Sequence, residues 1–250
     1  MAKASTPGLT KTRLVPPLNY DEAASLNTAF LQDVIDNVLL AAARAAPHAG
    51  IAPFAAYGPP GSEEFFRRNF PASVGLIEAW LPNFGDCLHR TICAILARGF
   101  ASAVVLNADS PTLPTALLVE TATVLAQPGD RAVLGPSSDG GYYLLGLKSP
   151  HRRMFEEIAW STASVAEQTR ARAREIGLDI HLLPEWYDVD DVETLRRLHA
   201  DLSGAESAPR PAAAGVRYHA GRTAALFRRL WPHGDFSRGA ETVDGEKAPA

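Results

Sequence analysis

The chain has 250 residues, room for one generous domain or two small ones, and its 46% hydrophobic and 21% charged residues are ordinary for a soluble globular enzyme. A net charge of −4 argues against nucleic acid or an anionic membrane as partner, so any phosphate recognition must come from a local cluster of cations. No apolar run approaches the ~20 residues of a membrane span, and the first eight residues lack the apolar stretch of a secretion signal.

Residues 3–18 carry Pro7, Gly8, Pro16 and Pro17 with Lys3, Lys11 and Arg13, which predicts a loop. Asn19 with Glu22 marks a helix start, and Leu26, Phe30, Leu31, Val34, Ile35, Val38 and Leu39 keep one apolar face to about residue 46. A strand is expected over 51–57, stopped by Gly58-Pro59-Pro60-Gly61, then a short helix through Phe65 and Phe66. A helix over 85–98 would hold Cys87 and Cys93 about 9 Å apart. That is beyond disulfide reach, and two lone thiols suit a reducing cytoplasm. The unbroken apolar run 101–106 reads as a strand covered on both faces.

Pro114 opens the next helix, and 128–130 closes it. Strands at 131–135 and 142–147 flank a glycine loop; a helix near 161–176, a strand at 179–183 and a helix at 191–202 follow. Strands alternating with helices predict an α/β domain over 1–202, a single open, mostly parallel sheet with helices on both faces. From Ser203 the composition turns to Ala, Pro, Gly and Ser. Residues 203–250 are therefore expected to form an appendage, with a short helix over 218–231 and a disordered end from 240.

Three carboxylate groups fall at the ends of predicted strands: Asp109, Asp139, and Asp188 with Asp190 and Asp191. Ligands of open α/β sheets bind outside the carboxyl ends of the strands. Asp109 and Asp190, with Asp188 as a further partner, are candidate ligands of Mg²⁺ or Mn²⁺, because such hard ions take one or two carboxylates together with substrate phosphates. The competing reading is local: Asp109 as a turn residue and Asp191 as the cap of the helix that follows. Lys11 and Arg13, two apart in an extended loop, would point the same way and address one diphosphate, with Gly8 letting backbone N–H groups approach. The alternative is a solvated basic loop. The spacing is not that of a P-loop. Asp139 with Gly140 and Gly141 forms a kinked loop or simply a turn, while Tyr142 and Trp160 line an acceptor pocket or, for Trp160, begin a helix capped at Ser161 or Thr162.

Residues 7–14, Asp109-Ser110-Pro111, residues 135–143, Trp160-Ser161-Thr162 and Asp188-Val189-Asp190-Asp191 together resemble, in matching order over about 1–202, the glycosyltransferase-like family DUF2064. That family includes proteins named as arsenosugar-biosynthesis glycosyltransferases. The resemblance implies a GT-A-like nucleotide-diphospho-sugar transferase fold. In it Lys11 and Arg13 hold the nucleotide phosphates, Asp109 and Asp190 the metal, and the Asp139–Tyr142 loop faces the acceptor. Members carry an apolar strand before the Lys-x-Arg loop, and this chain begins almost at the loop, so the first strand is expected to be missing.

The expected activity is metal-dependent glycosyl transfer from a nucleotide-sugar to a small acceptor in the cytoplasm, with Asp139 as the catalytic acceptor-side carboxylate. A nucleotidyltransferase that releases pyrophosphate from a nucleoside triphosphate is the alternative. A non-catalytic nucleotide-binding or assembly protein is the second. Base, sugar, acceptor and oligomeric state are left open.

Overall fold

The computed structural model of the protein describes residues 1–46, 49–204 and 215–232. Helix α1 (Tyr20–Ala45) starts where its capping box dictates: the Asn19 side chain accepts from the Glu22 N–H, and Glu22 accepts from the Asn19 N–H, both at 2.9 Å. Helices α2 (Glu63–Asn69), α3 (Phe84–Leu96), α4 (Thr115–Ala126), α5 (Val165–Glu175) and α6 (Val192–Ser203) follow, interleaved with strands. Asn83 caps α3 by accepting from the Asp86 N–H. Asp191 caps α6 by accepting from the Thr194 N–H at 2.8 Å. Cys87 and Cys93 lie in α3 as free thiols.

Strands β1 (Ala2–Lys3), β2 (Phe54–Gly58) and β3 (Gly75–Glu78) form one parallel ladder in the order β1-β2-β3. Strands β4 (Ala103–Leu106), β5 (Ala132–Pro136), β6 (Tyr142–Leu147) and β7 (Ile180–Leu182) form another in the order β4-β6-β5-β7. The Met1 amine donates to the Leu106 carbonyl at 2.7 Å, which links the edge of the first ladder to β4, although no strand pairing joins the two ladders among the described residues. Strand β6 is antiparallel to both of its neighbours, and the other pairings are parallel. The tight glycine loop between β5 and β6 explains this, because a connection that short can only return the chain antiparallel.

Helices cover both faces. Leu26, Phe30, Leu117 and Leu125 of α1 and α4 bury one face with Val133 and Leu144. Leu88 and Ile92 of α3 and Ala173 of α5 bury the other with Ala132, Leu134, Val105 and Leu145. The alternation of Ala132, Val133 and Leu134 between the two cores is the period-two pattern of a strand buried on both sides.

Three expectations are corrected. The first strand is present, though only two residues long. Strand β3 has no counterpart in the sequence reading; its four residues, Gly-Leu-Ile-Glu, are too few to show a period. Helix α5 starts at Val165 rather than near Ser161, because Ser161 is left-handed at φ 64° and Thr162 donates backward to the Ala159 carbonyl instead of capping.

A further helix, α7 (Gly221–Leu230), packs back on α1 and α6, with Leu226, Phe227 and Trp231 entering the core. Asp33 of α1 accepts from the Arg222 and Thr223 N–H groups at 3.0 and 2.8 Å and from the Thr223 hydroxyl at 2.6 Å. A buried carboxylate thus caps the helix N-terminus from a distant element, where the dipole favours an anion. The expected disordered end from 240 lies outside the described residues.

Candidate functional site

The chain leaving β1 turns at Pro7–Thr10, and Lys11 then adopts φ 51°, a left-handed conformation uncommon for a residue with a side chain. A 3-10 turn over Thr12–Leu14 follows, pinned by the fully buried Leu14. The loop is therefore not extended, and the alternation that would aim Lys11 and Arg13 alike does not apply to it. Arg13 is exposed, while the Lys11 side chain is only 7% exposed and points inward.

Lys11 Nζ lies 2.7 Å from Asp109 Oδ1, 2.8 Å from Asp190 Oδ1 and 2.7 Å from the Val189 carbonyl, with the Phe30 ring 5.6 Å away. Burial opposes the ammonium charge, but Asp109 and then Asp190 outweigh it, and the pKa is raised above the usual lysine value. Two segments distant in sequence meet here because the Val189 N–H donates to the Asp109 carbonyl and Ser110 donates to the Tyr187 carbonyl, both at 2.9 Å. Asp109 and Asp190 thus converge as the sequence predicts, but around an ammonium group.

This trio sits in a cleft of about 650 Å³ at the carboxyl ends of β1, β2 and β4. Arg13, Tyr142, Trp80 and Asn107 line it as well. Gly8, Asp139, Gly140, Gly141, Trp160 and Asp188 lie outside that lining. Gly8 is in an exposed turn at φ 74°. Asp139 is exposed, and its Oδ1 accepts the Gly141 N–H at 2.8 Å, which closes the turn within its own loop.

Gly140 is at φ 88°, and a Cβ there would fall 2.0 Å from the Ala163 carbonyl oxygen, so the loop is seated tightly against the segment before α5. Asp188 accepts from the Ser137 hydroxyl at 2.8 Å. Burial chiefly, then the charges of Asp139 and Asp190, push its carboxyl up to about 6 against that hydrogen bond. Trp160 makes edge contacts with Phe84 at 5.3 Å and Tyr142 at 6.4 Å between ring centres, which places it behind the cleft wall.

The sequence reading missed the opposite wall. Trp80, 48% exposed, follows β3 directly and lies over Gly58, where a Cβ would fall 2.1 Å from its ring. Phe84, also exposed, continues that wall. The available signal was Ala79-Trp80-Leu81-Pro82, an aromatic residue and a proline at a strand end. Asn107, just after β4, donates through Nδ2 to Ser110, while its buried Oδ1 accepts no hydrogen bond among the described residues. The Tyr142 hydroxyl is also buried without a partner there. Unsatisfied polar atoms lining a cleft are natural contacts for a ligand.

Among the described residues no group of three or more His, Cys, Asp or Glu side chains is arranged for a metal ion. Lys11 occupies one oxygen of Asp109 and one of Asp190, and the second oxygen of each accepts no hydrogen bond among the described residues. Two half-exposed carboxylates with an unused oxygen apiece fit a hard divalent ion that draws its other ligands from substrate phosphate and water.

The family described as "Uncharacterized protein conserved in bacteria (DUF2064)" matches residues 40–162. The DUF2064 segment carries Asp109, the Asp139 loop and Trp160, while Lys11, Arg13, Asp188 and Asp190 flank it on both sides. A crystal structure described as a "putative nucleotide-diphospho-sugar transferase" from Desulfovibrio desulfuricans G20 superimposes with a TM-score of 0.74. It is 25% identical, and the match covers 91% of each chain. The open, mostly parallel α/β architecture is therefore shared along nearly the whole length. No curated protein matches significantly.

Proposed function

We propose that the cleft binds a nucleotide-diphospho-sugar and transfers its glycosyl group to a small acceptor, with Mg²⁺ or Mn²⁺ held by Asp109 and Asp190. The observation that carries this reading is the convergence of those two carboxylates on Lys11 at the floor of the cleft. The likeness to the Desulfovibrio structure supports the substrate class. Two carboxylates against one buried ammonium leave the floor net negative. A diphosphate would be repelled there without a cation of its own, and exposed Arg13 at the rim offsets only part of that charge. The same argument weighs more heavily against a nucleoside triphosphate, which brings more negative charge.

The divalent ion would neutralise the leaving diphosphate. Lys11 would hold the two carboxylates apart and aligned, and the exposed ring of Trp80 offers a face for the base. In the transfer the acceptor oxygen bonds the anomeric carbon, and the bond from that carbon to the diphosphate oxygen breaks. The nucleoside diphosphate leaves with the electron pair. The acceptor proton is released to solvent at the open side of the cleft, because Asp139 and Asp188 lie outside its lining.

The test is incubation with a panel of nucleotide-sugars and Mn²⁺ or Mg²⁺, following nucleoside diphosphate release. Wild type should release it only with the metal, and Asp190→Asn should lower the rate at least about a hundredfold. A panel giving neither transfer nor hydrolysis, or an Asp190→Asn rate equal to wild type, would count against the reading.

A further inference from the structure

A buried chain of polar side chains runs from the segment before α7 to the two loops that carry Asp109 and Asp190. Tyr187, shortly before Asp190, is fully buried, yet both of its oxygens are engaged. Its carbonyl accepts from the Ser110 hydroxyl at 2.9 Å. Its own hydroxyl donates to Asp201 Oδ2 of α6 at 2.7 Å. A phenol has one hydrogen to give, so the Thr112 hydroxyl, 3.3 Å away, donates to Tyr187. The ring is fixed as well, stacked on Trp186 at 5.8 Å between centres and covered by the Arg197 guanidinium at 4.0 Å.

The other oxygen of Asp201 pairs with Arg217, from the segment that leads into α7. The Asp201 side chain is only 4% exposed, so its charge is met inside the protein. The next residue, Tyr218, donates its N–H to the Thr112 carbonyl at 3.1 Å. Thr112 is therefore held twice, at its hydroxyl by Tyr187 and at its carbonyl by Tyr218. One end of the chain thus lies just after Asp109, the other just before Asp190, and the Val189 N–H to the Asp109 carbonyl closes the ring.

Packing does not require this arrangement, because apolar side chains of similar volume fill a buried site at least as well as a desolvated ion pair. What directional hydrogen bonds add is a fixed position for the backbone on either side. Asp109 and Asp190 carry like charges and would spread if their loops could move. We infer that Tyr187, Thr112 and Asp201, braced by Arg217 and Tyr218, are positioning residues that fix the separation of the Asp109 and Asp190 carboxylates. The segment before α7 is then a working part of the site, although it lies outside the cleft lining. A divalent ion with short, near-octahedral bonds depends on that separation more than the Lys11 ammonium does. This consequence for a metal rests on the transferase reading; the fixing of the two carboxylates does not.

The experiment uses the full chain and two probes, each below the unfolding temperature of every variant. Acetic anhydride labelling of Lys11, followed by mass spectrometry, reads how firmly the two carboxylates hold the ammonium without any metal. Calorimetric titration with Mn²⁺ alone reads the geometry a metal needs. Tyr187→Phe, which keeps the ring and removes the hydroxyl, should raise Lys11 labelling and lower Mn²⁺ affinity, each about tenfold. Thr112→Val should do the same, and Thr112→Ser, which restores the hydroxyl, should match wild type. The Tyr187→Phe, Thr112→Val double variant should lose little beyond either single one, since both break one path. Leu178→Ala, in the core under the α3 and α5 layer, should lower Tm at least as much and leave both probes unchanged. Lys11 labelling in Tyr187→Phe equal to wild type overturns the inference, and so does an equal rise in Leu178→Ala. Faster labelling in Tyr187→Phe beside a wild type that binds no Mn²⁺ supports the inference and counts against the metal reading alone.

Discussion

At the scale of single residues, Lys11 decides how the acidic pair behaves. Its ammonium stands 2.7 and 2.8 Å from Asp109 and Asp190 and competes for the space a divalent ion would use. Lys11→Met keeps the apolar stem beside Phe30 but leaves the carboxylates to repel each other. The expected result is a loss of about 1–3 kcal/mol of stability without metal, a range that allows for the solvent access of both carboxylates. Affinity for Mn²⁺ should rise about tenfold or more, because one positive charge leaves the site. Calorimetric titration with Mn²⁺ alone reads this, and an affinity equal to or below wild type would mean that lysine and metal do not share the carboxylates. Sequence could pair Asp109 with Asp190 because both fall in acidic segments expected at strand ends, although Asp190 stands in the irregular stretch between β7 and α6. It could not show that Lys11 turns inward, because that depends on a left-handed backbone at a residue whose type gives no hint of it.

At the scale of elements, the most legible parts are those with a strong local code. The capping boxes at Asn19 and Asp191 and the long apolar face of α1 are local, so the helices begin where the residues say. The start of α5 was not legible, since Ser161, Thr162 and Ser164 are all plausible caps and tertiary contacts of the Gly140 loop choose among them. Helix α7 shows how a distant residue completes an element: its N-terminal N–H groups have Asp33 as their acceptor, a residue that is 1% exposed. Asp33→Ala should cost about 2 kcal/mol, lowering Tm by about 4–8 °C. It should also make the segment around α7 the first site of limited proteolysis. Asp33→Asn, which retains an acceptor oxygen, should lose less. Were the alanine variant to keep the wild-type cleavage pattern, the apolar contacts of Leu226, Phe227 and Trp231 would by themselves account for the docking.

Across the whole molecule, the two ladders differ in strength. Strand β5 is flanked on both sides, by β6 and β7, and Ala132, Val133 and Leu134 are fully buried. Strands β2 and β3 reach that half through a two-residue strand and a hydrogen bond from the chain's first amine. Free energies of local opening follow how much apolar contact and pairing each part shares with the rest, so the β1–β3 half is expected to open separately and first. Native-state hydrogen exchange should find the β2–β3 amides exchanging at least tenfold faster than those between β5 and β6, at a free energy below that of global unfolding. The consequence reaches the cleft, because Trp80 and the turn leading to Lys11 ride on the weaker half while Asp109 and Asp190 are carried by the stronger one. A ligand spanning both should slow exchange in the β2–β3 ladder more than in the β5–β6 ladder, since it binds only the closed arrangement. Equal protection of the two ladders in the ligand-free protein would instead make the domain one cooperative unit, with the short first strand no point of weakness.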